Sequence, residues 1–236
     1  MAVRGQFIAA REVAGYGDWL GVPVRFTIVV EPMTTDTKTS SHLWEFNPNE
    51  REAWDRRYLE NPSLYFEPDP FLLKAYEQYV QPLFPKGGAA LDVAGGLGRH
   101  AIWLAELRWK TTVVDISEVA FQKTQAKADE RGVTIDFLVK DLNTWSPDRK
   151  KYDLILVFYY LQRDLYSYLE AALKPGGLLI YKTYTGEQVE YESGPKNPAH
   201  LLKQNELLHA FPGLRTLFYH ESITEKAVAE LVAMKQ

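Results

Sequence analysis

The strongest pattern in the chain lies between Ala89 and Thr183, where short apolar runs alternate with longer amphipathic stretches. The runs Ala89–Val93, Thr111–Ile116, Thr134–Val139, Asp153–Phe158 and Leu178–Thr183 are aliphatic or β-branched and read as strands. Helices are predicted between them. One runs from about Gly98 to Arg108 with Ile102, Trp103 and Leu104 apolar, one from an N-cap at Ser117 to Arg131 with Gly132 as its stop, and one from about Asp164 to Leu173. Asp153–Phe158 is almost continuously apolar, as expected of a strand covered on both faces. Such alternation predicts a parallel sheet flanked by helices with right-handed crossovers. Its ligand site belongs at the carboxyl ends of the strands, near the reversal of strand order.

The flanks differ. Upstream, NEREAWDRRYLE (Asn49 to Glu60) has helical spacing with Trp54, Tyr58 and Leu59 on one face. Asp69-Pro70 reads as an N-cap and first helical residue for Phe71–Phe84, whose apolar stripe runs through Leu72, Tyr76, Val80 and Leu83. Downstream, a helix is expected from about His200 to Phe211, then Leu214–Ser222 and Lys226–Met234 separated by a short polar turn that permits only an antiparallel pair. By propensity Ala227–Met234 could also be helical. Val22–Val30 could form a strand without an obvious partner, and Thr34–Ser41 is a polar run. We therefore expect a poorly ordered extension over 1–42, with Met33 as a candidate initiator, and one folded domain over 43–236. Its parts would be a helical lid (43–86), a cofactor-binding core (87–185), and a substrate-side helix with a C-terminal hairpin (186–236).

The chemistry centres on LDVAGGLGRH, where a strand hands over to a helix through glycines. A dinucleotide fingerprint needs G-x-G-x-x-G; here the third glycine is missing and an acid, Asp92, precedes the loop of Ala94, Gly95, Gly96 and Gly98. An acid with partial glycine content suits a ligand that offers an amino acid to the loop, as S-adenosylmethionine (SAM) does. The loop alone reads equally as a tight turn. Composition narrows the classes. A net charge of −4 gives no general attraction to nucleic acid, and the absence of cysteine removes disulfides, thiolate catalysis and zinc–cysteine sites together. That is compatible with a cytoplasmic location. No apolar run approaches the roughly 20 residues that cross a bilayer, and the five histidines show no metal-ligand spacing, so neither membrane nor metal is expected.

Asp115, about 20 residues after the loop, stands where an acid accepts ribose hydroxyls; it could also be a helix-start carboxylate beside Ser117. Asp141 could accept an adenine amino group with the Leu142 N–H on a ring nitrogen, or be a solvated loop acid. Asp92 could order the loop or meet a methionyl ammonium. Phe158, Tyr159 and Tyr160 could face a cationic sulfur or belong to the core. His100 could be a base or an ordinary first-turn residue, and Arg57, Arg99 and Arg163 are candidates for an anionic group of cofactor or acceptor.

Together LDVAGGLGRHAIWLAE, TVVDISEVAFQKTQAKA, VKDLNTW, YDLILVFYYL and LKPGGLLIYKTY resemble, in order and spacing, the class I SAM-dependent methyltransferases. Trp54-Asp55-x-Arg57-Tyr58, Gly98-Arg99 and GPKNPAHLL followed by Glu206-Leu207-Leu208 resemble the tellurite-resistance-type and thiopurine-like small-molecule enzymes. The likeness implies a doubly wound, seven-stranded, mostly parallel sheet with an antiparallel last strand. It implies cofactor contacts from Asp92, Ala94, Gly96, Gly98, Asp115, Ile116, Asp141 and Leu142, and methyl transfer to a thiol, a chalcogen oxyanion or a phenol-like molecule. His100, where tellurite-type proteins usually have asparagine, and Lys182, where relatives tend to have an acid, depart from the pattern. A SAM-binding module without catalysis uses the same residues. A nucleic-acid methyltransferase is less favoured, because Phe158-Tyr159-Tyr160-Leu161 is not an Asn/Asp-Pro-Pro-aromatic motif.

Overall fold

The computed structural model describes residues 14–19, 22–27, 48–60 and 67–236. The chain divides into two compact units, 1–44 and 45–236. In the first, Ala14–Trp19 (β1) pairs antiparallel with Val22–Thr27 (β2). The strand expected from Val22 thus has a partner after all, its immediate predecessor, which the glycine-interrupted sequence AGYGDW conceals. The rest of the expected extension over 1–42 lies outside the described residues.

The second unit opens with Pro48–Glu60 (α1) and Pro70–Ala75 (α2). Asp69 caps α2 as expected, its carboxylate accepting the Phe71 N–H at 2.9 Å. The helix then widens into a π turn over Tyr76–Val80 before Gln81–Leu83 (α3). Pro82 explains the change: it has no N–H to offer the preceding turn, and the Gln81 N–H reaches back five residues to the Tyr76 carbonyl. Leu59 and Leu83, expected on buried faces, are 61% and 52% exposed.

A βα series follows: Ala89–Val93 (β3), Arg99–Glu106 (α4), Lys110–Asp115 (β4), Glu118–Arg131 (α5), Ile135–Val139 (β5), Tyr152–Phe158 (β6), Tyr166–Ala172 (α6) and Leu173–Tyr184 (β7). After Glu206–His209 (α7) come Leu214–Ser222 (β8) and Val228–Lys235 (β9). The sheet order is β5-β4-β3-β6-β7-β9-β8, with β3 to β7 parallel and β9 antiparallel to both neighbours. This is the seven-stranded, doubly wound α/β arrangement expected, and the tail is a strand pair. The helix expected over His200–Phe211 is absent. Leu202 instead bonds to β7 through its N–H to the Tyr184 carbonyl at 2.9 Å, and Asn205 sits at φ 57°, so only the single turn α7 forms. Backbone pairing at the sheet end outweighs helical spacing there.

The central strands fill both faces by alternation. Leu91, Ile155, Val157, Leu179 and Tyr181 pack on one side, and Ala90, Leu154, Leu156, Leu178 and Ile180 on the other. Among the described residues no helix is long and apolar enough to cross a membrane. Because Leu156 is fully buried, Leu156→Ala should cost about 2–5 kcal/mol in urea unfolding. A loss below about 1 kcal/mol would contradict this packing.

Candidate functional site

Strand order reverses between β3 and β6, and there the carboxyl ends of β3, β4 and β6, with the segment after β5, open onto a cavity of about 840 Å³. Its floor is the loop between β3 and α4, where Ala94, Gly96 and Gly98 take positive φ of 52°, 54° and 67°. A Cβ on Gly96 would lie 2.6 Å from the Tyr58 hydroxyl, and one on Gly98 only 2.4 Å from Thr124 Cγ2, so neither position has room for a side chain. Backbone bonds tie the loop to β4. The Gly95 N–H donates to the Val114 carbonyl at 3.2 Å, and the Gly96 N–H to Asp115 Oδ2 at 2.9 Å. Asp115 Oδ1 accepts the Ser117 N–H at 3.0 Å. Burial raises the Asp115 pKa to about 6 against the pull of the Ser117 and Gly96 N–H groups, with the Asp92 charge adding to the rise.

Asp92 and His100 lie beneath the loop, each 2% exposed. Their nearest nitrogen–oxygen distance, Nδ1 to Oδ2, is 3.8 Å, too long for a hydrogen bond. Both Asp92 oxygens and His100 Nε2 are buried without a hydrogen-bond partner among the described residues. The His100 ring packs 4.3 Å from that of Phe158, so it belongs to the cavity wall. Such orphaned groups are costly unless a ligand completes them.

At the far end, Asp141 forms a turn by accepting the Asn143 N–H at 2.9 Å, with buried Leu142 beside it. The Leu142 carbonyl accepts from Gln162, whose Oε1 accepts the Tyr160 hydroxyl. Ile116, Asp141, Leu142 and Tyr160 all line the cavity. Helix α1 adds Trp54, Arg57 and Tyr58. The two rings stack at 5.6 Å, and the Arg57 guanidinium lies 5.2 Å from the Trp54 ring centroid. Tyr58, assigned from the sequence only to helix docking, touches the loop itself, and burial with the Asp115 and Asp92 charges raises its phenol pKa. Its signal was the four-residue spacing of Trp54 and Tyr58.

Beyond Phe158, Tyr159 turns out of β6 with φ 59°. Its hydroxyl donates to Asp69 Oδ2 at 2.8 Å, and Lys182 Nζ lies 3.0 Å from both Asp69 Oδ1 and Glu230 Oε1. Burial would raise the Asp69 pKa, but the Lys182 charge and bonds from Lys182, Phe71 and Tyr159 hold it below its ordinary value. Asp69 and Glu230 carry no motif, and only the fold brings them to Lys182. Arg163 is not in the cavity. Its guanidinium clamps Glu206 at 2.6 and 2.9 Å and bonds the Ala199 and Leu201 carbonyls, holding the segment before α7 in place.

Residues 90–177 match the family described as methyltransferase domain. Over that segment the chain is similar to methyltransferase domains. A Geobacillus sp. protein named as a methyltransferase is 29% identical over 131 residues, covering 50% of this chain and 53% of its own. A ubiquinone biosynthesis O-methyltransferase of Coxiella burnetii is 28% identical over 120 residues, covering 49% and 50%. The chain thus spans about half the length of these curated relatives. TehB from Haemophilus influenzae shares the fold at TM-score 0.60 and 16% identity, over 78% of this chain and 67% of that one.

A protein of the same fold from Mesorhizobium loti is named as an S-adenosylmethionine-dependent methyltransferase, and the residues present here fit that cofactor. The buried acceptor-only Asp92 oxygens suit an ammonium, and each Asp115 oxygen, with one N–H bond made, keeps a lone pair for a hydroxyl. A carboxyl-carbon NMR titration of the ligand-free domain should place the Asp115 pKa near 6. The raised value means that its contribution to stability is full below about pH 4 and is lost as pH rises through 6. A midpoint near 4 would contradict the burial of this carboxyl.

Proposed function

We propose that this protein transfers a methyl group from S-adenosylmethionine to a small-molecule acceptor bearing a thiol, oxyanion or phenol-like oxygen. The observation that carries the reading is the pair of buried, unpartnered Asp92 oxygens at the glycine loop, in one cavity with Asp115 and Asp141. In this reading Asp92 holds the methionyl ammonium, with Ala94, Gly95, Gly96 and Gly98 leaving room for the aminoacyl tail and Arg57 near its carboxylate. Asp115 accepts the ribose hydroxyls, Ile116 packs against the base, and Asp141 with the Leu142 N–H reads the adenine edge. Trp54 and Tyr58 of α1 close over the loop and keep water out.

When bound, the cofactor supplies a methyl on a cationic sulfur: an acceptor lone pair bonds to that carbon, the old bond's electron pair returns to sulfur, and the acceptor's proton passes to solvent. The protein has chiefly to align the partners, and such positioning supplies roughly 7–11 kcal/mol. In this reading the Phe158 and Tyr160 rings, which line the cavity, face the positive sulfur, a contact of about 0.5–2 kcal/mol per ring. No protein nucleophile is needed. Polar acceptor chemistry beside an acidic chain favours a small molecule over nucleic acid.

Calorimetry with S-adenosylhomocysteine should give binding that Asp115→Ala abolishes while the variant's urea midpoint shows it folded. Because only ionised Asp115 accepts two hydroxyls, affinity should be flat above pH 7 and about tenfold weaker at pH 5. Unchanged affinity in the variant would remove the ribose role. Release of S-adenosylhomocysteine with any of a panel of thiols, selenite, tellurite and phenols would separate an enzyme from a binding module.

A further inference from the structure

Phe158, Lys182, Glu230 and His220 are register partners across β6, β7, β9 and β8, so they form one row over four strands, and all four line the cavity. Exposure rises along the row. Phe158 is 7% exposed, the Glu230 side chain 17% and the His220 side chain 57%. The row therefore leads from a recessed part of the wall to solvent.

Lys182 needs one counter-charge and has two, Asp69 and Glu230, each at 3.0 Å. The two acids are not equivalent. Asp69 is fully used: Oδ1 takes Lys182 and the Phe71 N–H, and Oδ2 takes the Tyr159 hydroxyl. Glu230 meets Lys182 through Oε1 alone, while its Oε2 makes no hydrogen bond among the described residues; His220 Nδ1, at 3.9 Å, is beyond reach. A second half-buried carboxylate is costly where one already balances the lysine. What it adds is an open lone pair in the cavity wall, which is what a proton acceptor needs.

Its position suits that task. Neighbouring strands lie about 4.8 Å apart, so the Glu230 backbone stands about 10 Å from that of Phe158. The side chain leans back toward β7, where Lys182 Nζ lies 5.8 Å from the Tyr159 ring centroid. Between Glu230 and Phe158 there remains the width of one small molecule.

We propose that Glu230 takes the proton of the methyl acceptor during transfer. The proposal rests on the methyltransferase reading and supplies the residue that its acceptor half lacks. As the acceptor's lone pair bonds to the methyl carbon and the carbon–sulfur pair returns to sulfur, the electron pair of the acceptor's O–H or S–H bond stays on the heteroatom. The proton passes to Glu230 Oε2 and from there to water at the mouth. A carboxylate suffices as base, because an acceptor attacked while still protonated becomes a cation that gives up its proton readily.

Kinetics of the full chain with S-adenosylmethionine at about pH 8 test this, with benzyl thiol and 4-cresol as acceptors that are protonated there and 4-nitrothiophenol and 4-nitrophenol as acceptors that are ionised. Glu230→Gln should lower kcat about 100-fold or more for a protonated acceptor, with KM within about threefold, and less than about threefold for an ionised one. Glu230→Asp, which keeps a carboxylate, should recover at least about tenfold of the loss. Calorimetry should give the same S-adenosylhomocysteine affinity for all three chains, which also shows the variants folded. Equal losses for protonated and ionised acceptors, or a protonated acceptor indifferent to Glu230→Gln, overturns the proposal while methyl transfer stands. Turnover of ionised acceptors alone by the wild-type chain overturns it as well. No turnover of any acceptor overturns the transfer reading and this proposal together.

Discussion

The site is organised by one buried carboxylate. Asp115 ends β4 and takes the Gly96 N–H on one oxygen and the Ser117 N–H on the other, fastening the loop after β3 to the start of α5. The connection continues outward. Ser117 Oγ accepts the Ala120 N–H as N-cap and donates to Asp55 of α1, and Lys123 of α5 donates to the Tyr58 carbonyl at 2.6 Å. Helix α1 is therefore held by the same helix start that Asp115 orders, and its Tyr58 hydroxyl rests on Gly96. The chain of bonds closes on itself around the loop. Removing the Asp115 charge would loosen the lid as well as the floor.

The raised Asp115 pKa is a consequence of that economy. A carboxylate buried enough to be shielded from water, and close enough to Asp92 to feel its charge, is unstable as an anion unless N–H donors face it. The Gly96 and Ser117 N–H groups do, at 2.9 and 3.0 Å, and that of Ile116 adds to them. The neighbouring Asp92 has no such donors among the described residues, so the two acids differ in kind. Asp115 is already built into the protein, whereas Asp92 awaits a partner. A ligand bearing both hydroxyls and an ammonium would satisfy the two at once, and folding alone leaves the second deficit open.

Much of the fold was legible because the central strands are buried on both faces. Runs such as Leu154–Phe158 can be little else in a chain that also offers amphipathic helices between them. Legibility failed where tertiary contacts overrule local spacing. His200–Phe211 has helical periodicity, yet the backbone of Leu202 pairs with β7, and Pro82 turns a regular helix into a π turn that carries Leu83 to the surface. The loop glycines, Asp115 and Asp141 could be found because they sit at fixed places relative to strands. The bridge of Asp69 and Glu230 to Lys182 could not, since it joins elements far apart in sequence that meet only over the crevice. Arg163 failed for the opposite reason: residue type suggested anion binding, but Glu206 already occupies its fork.

Lys182 and His100, the two departures from the resembling sequences, fall on either side of Phe158. That placement limits what each substitution can change. Lysine in place of an acid at the end of β7 would leave a half-buried cation facing the cavity, an expensive arrangement without counter-charges. Asp69 supplies one from the cap of α2 and Glu230 another from β9, so three elements join at this point. Tyr159 then donates to the same Asp69, and its ring becomes a fixed surface on which Lys226 and Arg99 rest. The charge at this strand end thus reaches the part of the cavity wall formed by Tyr159. The Asp115-centred bonds share no residue with this network, so the charge at the end of β7 can change while the frame of the glycine loop stays constant.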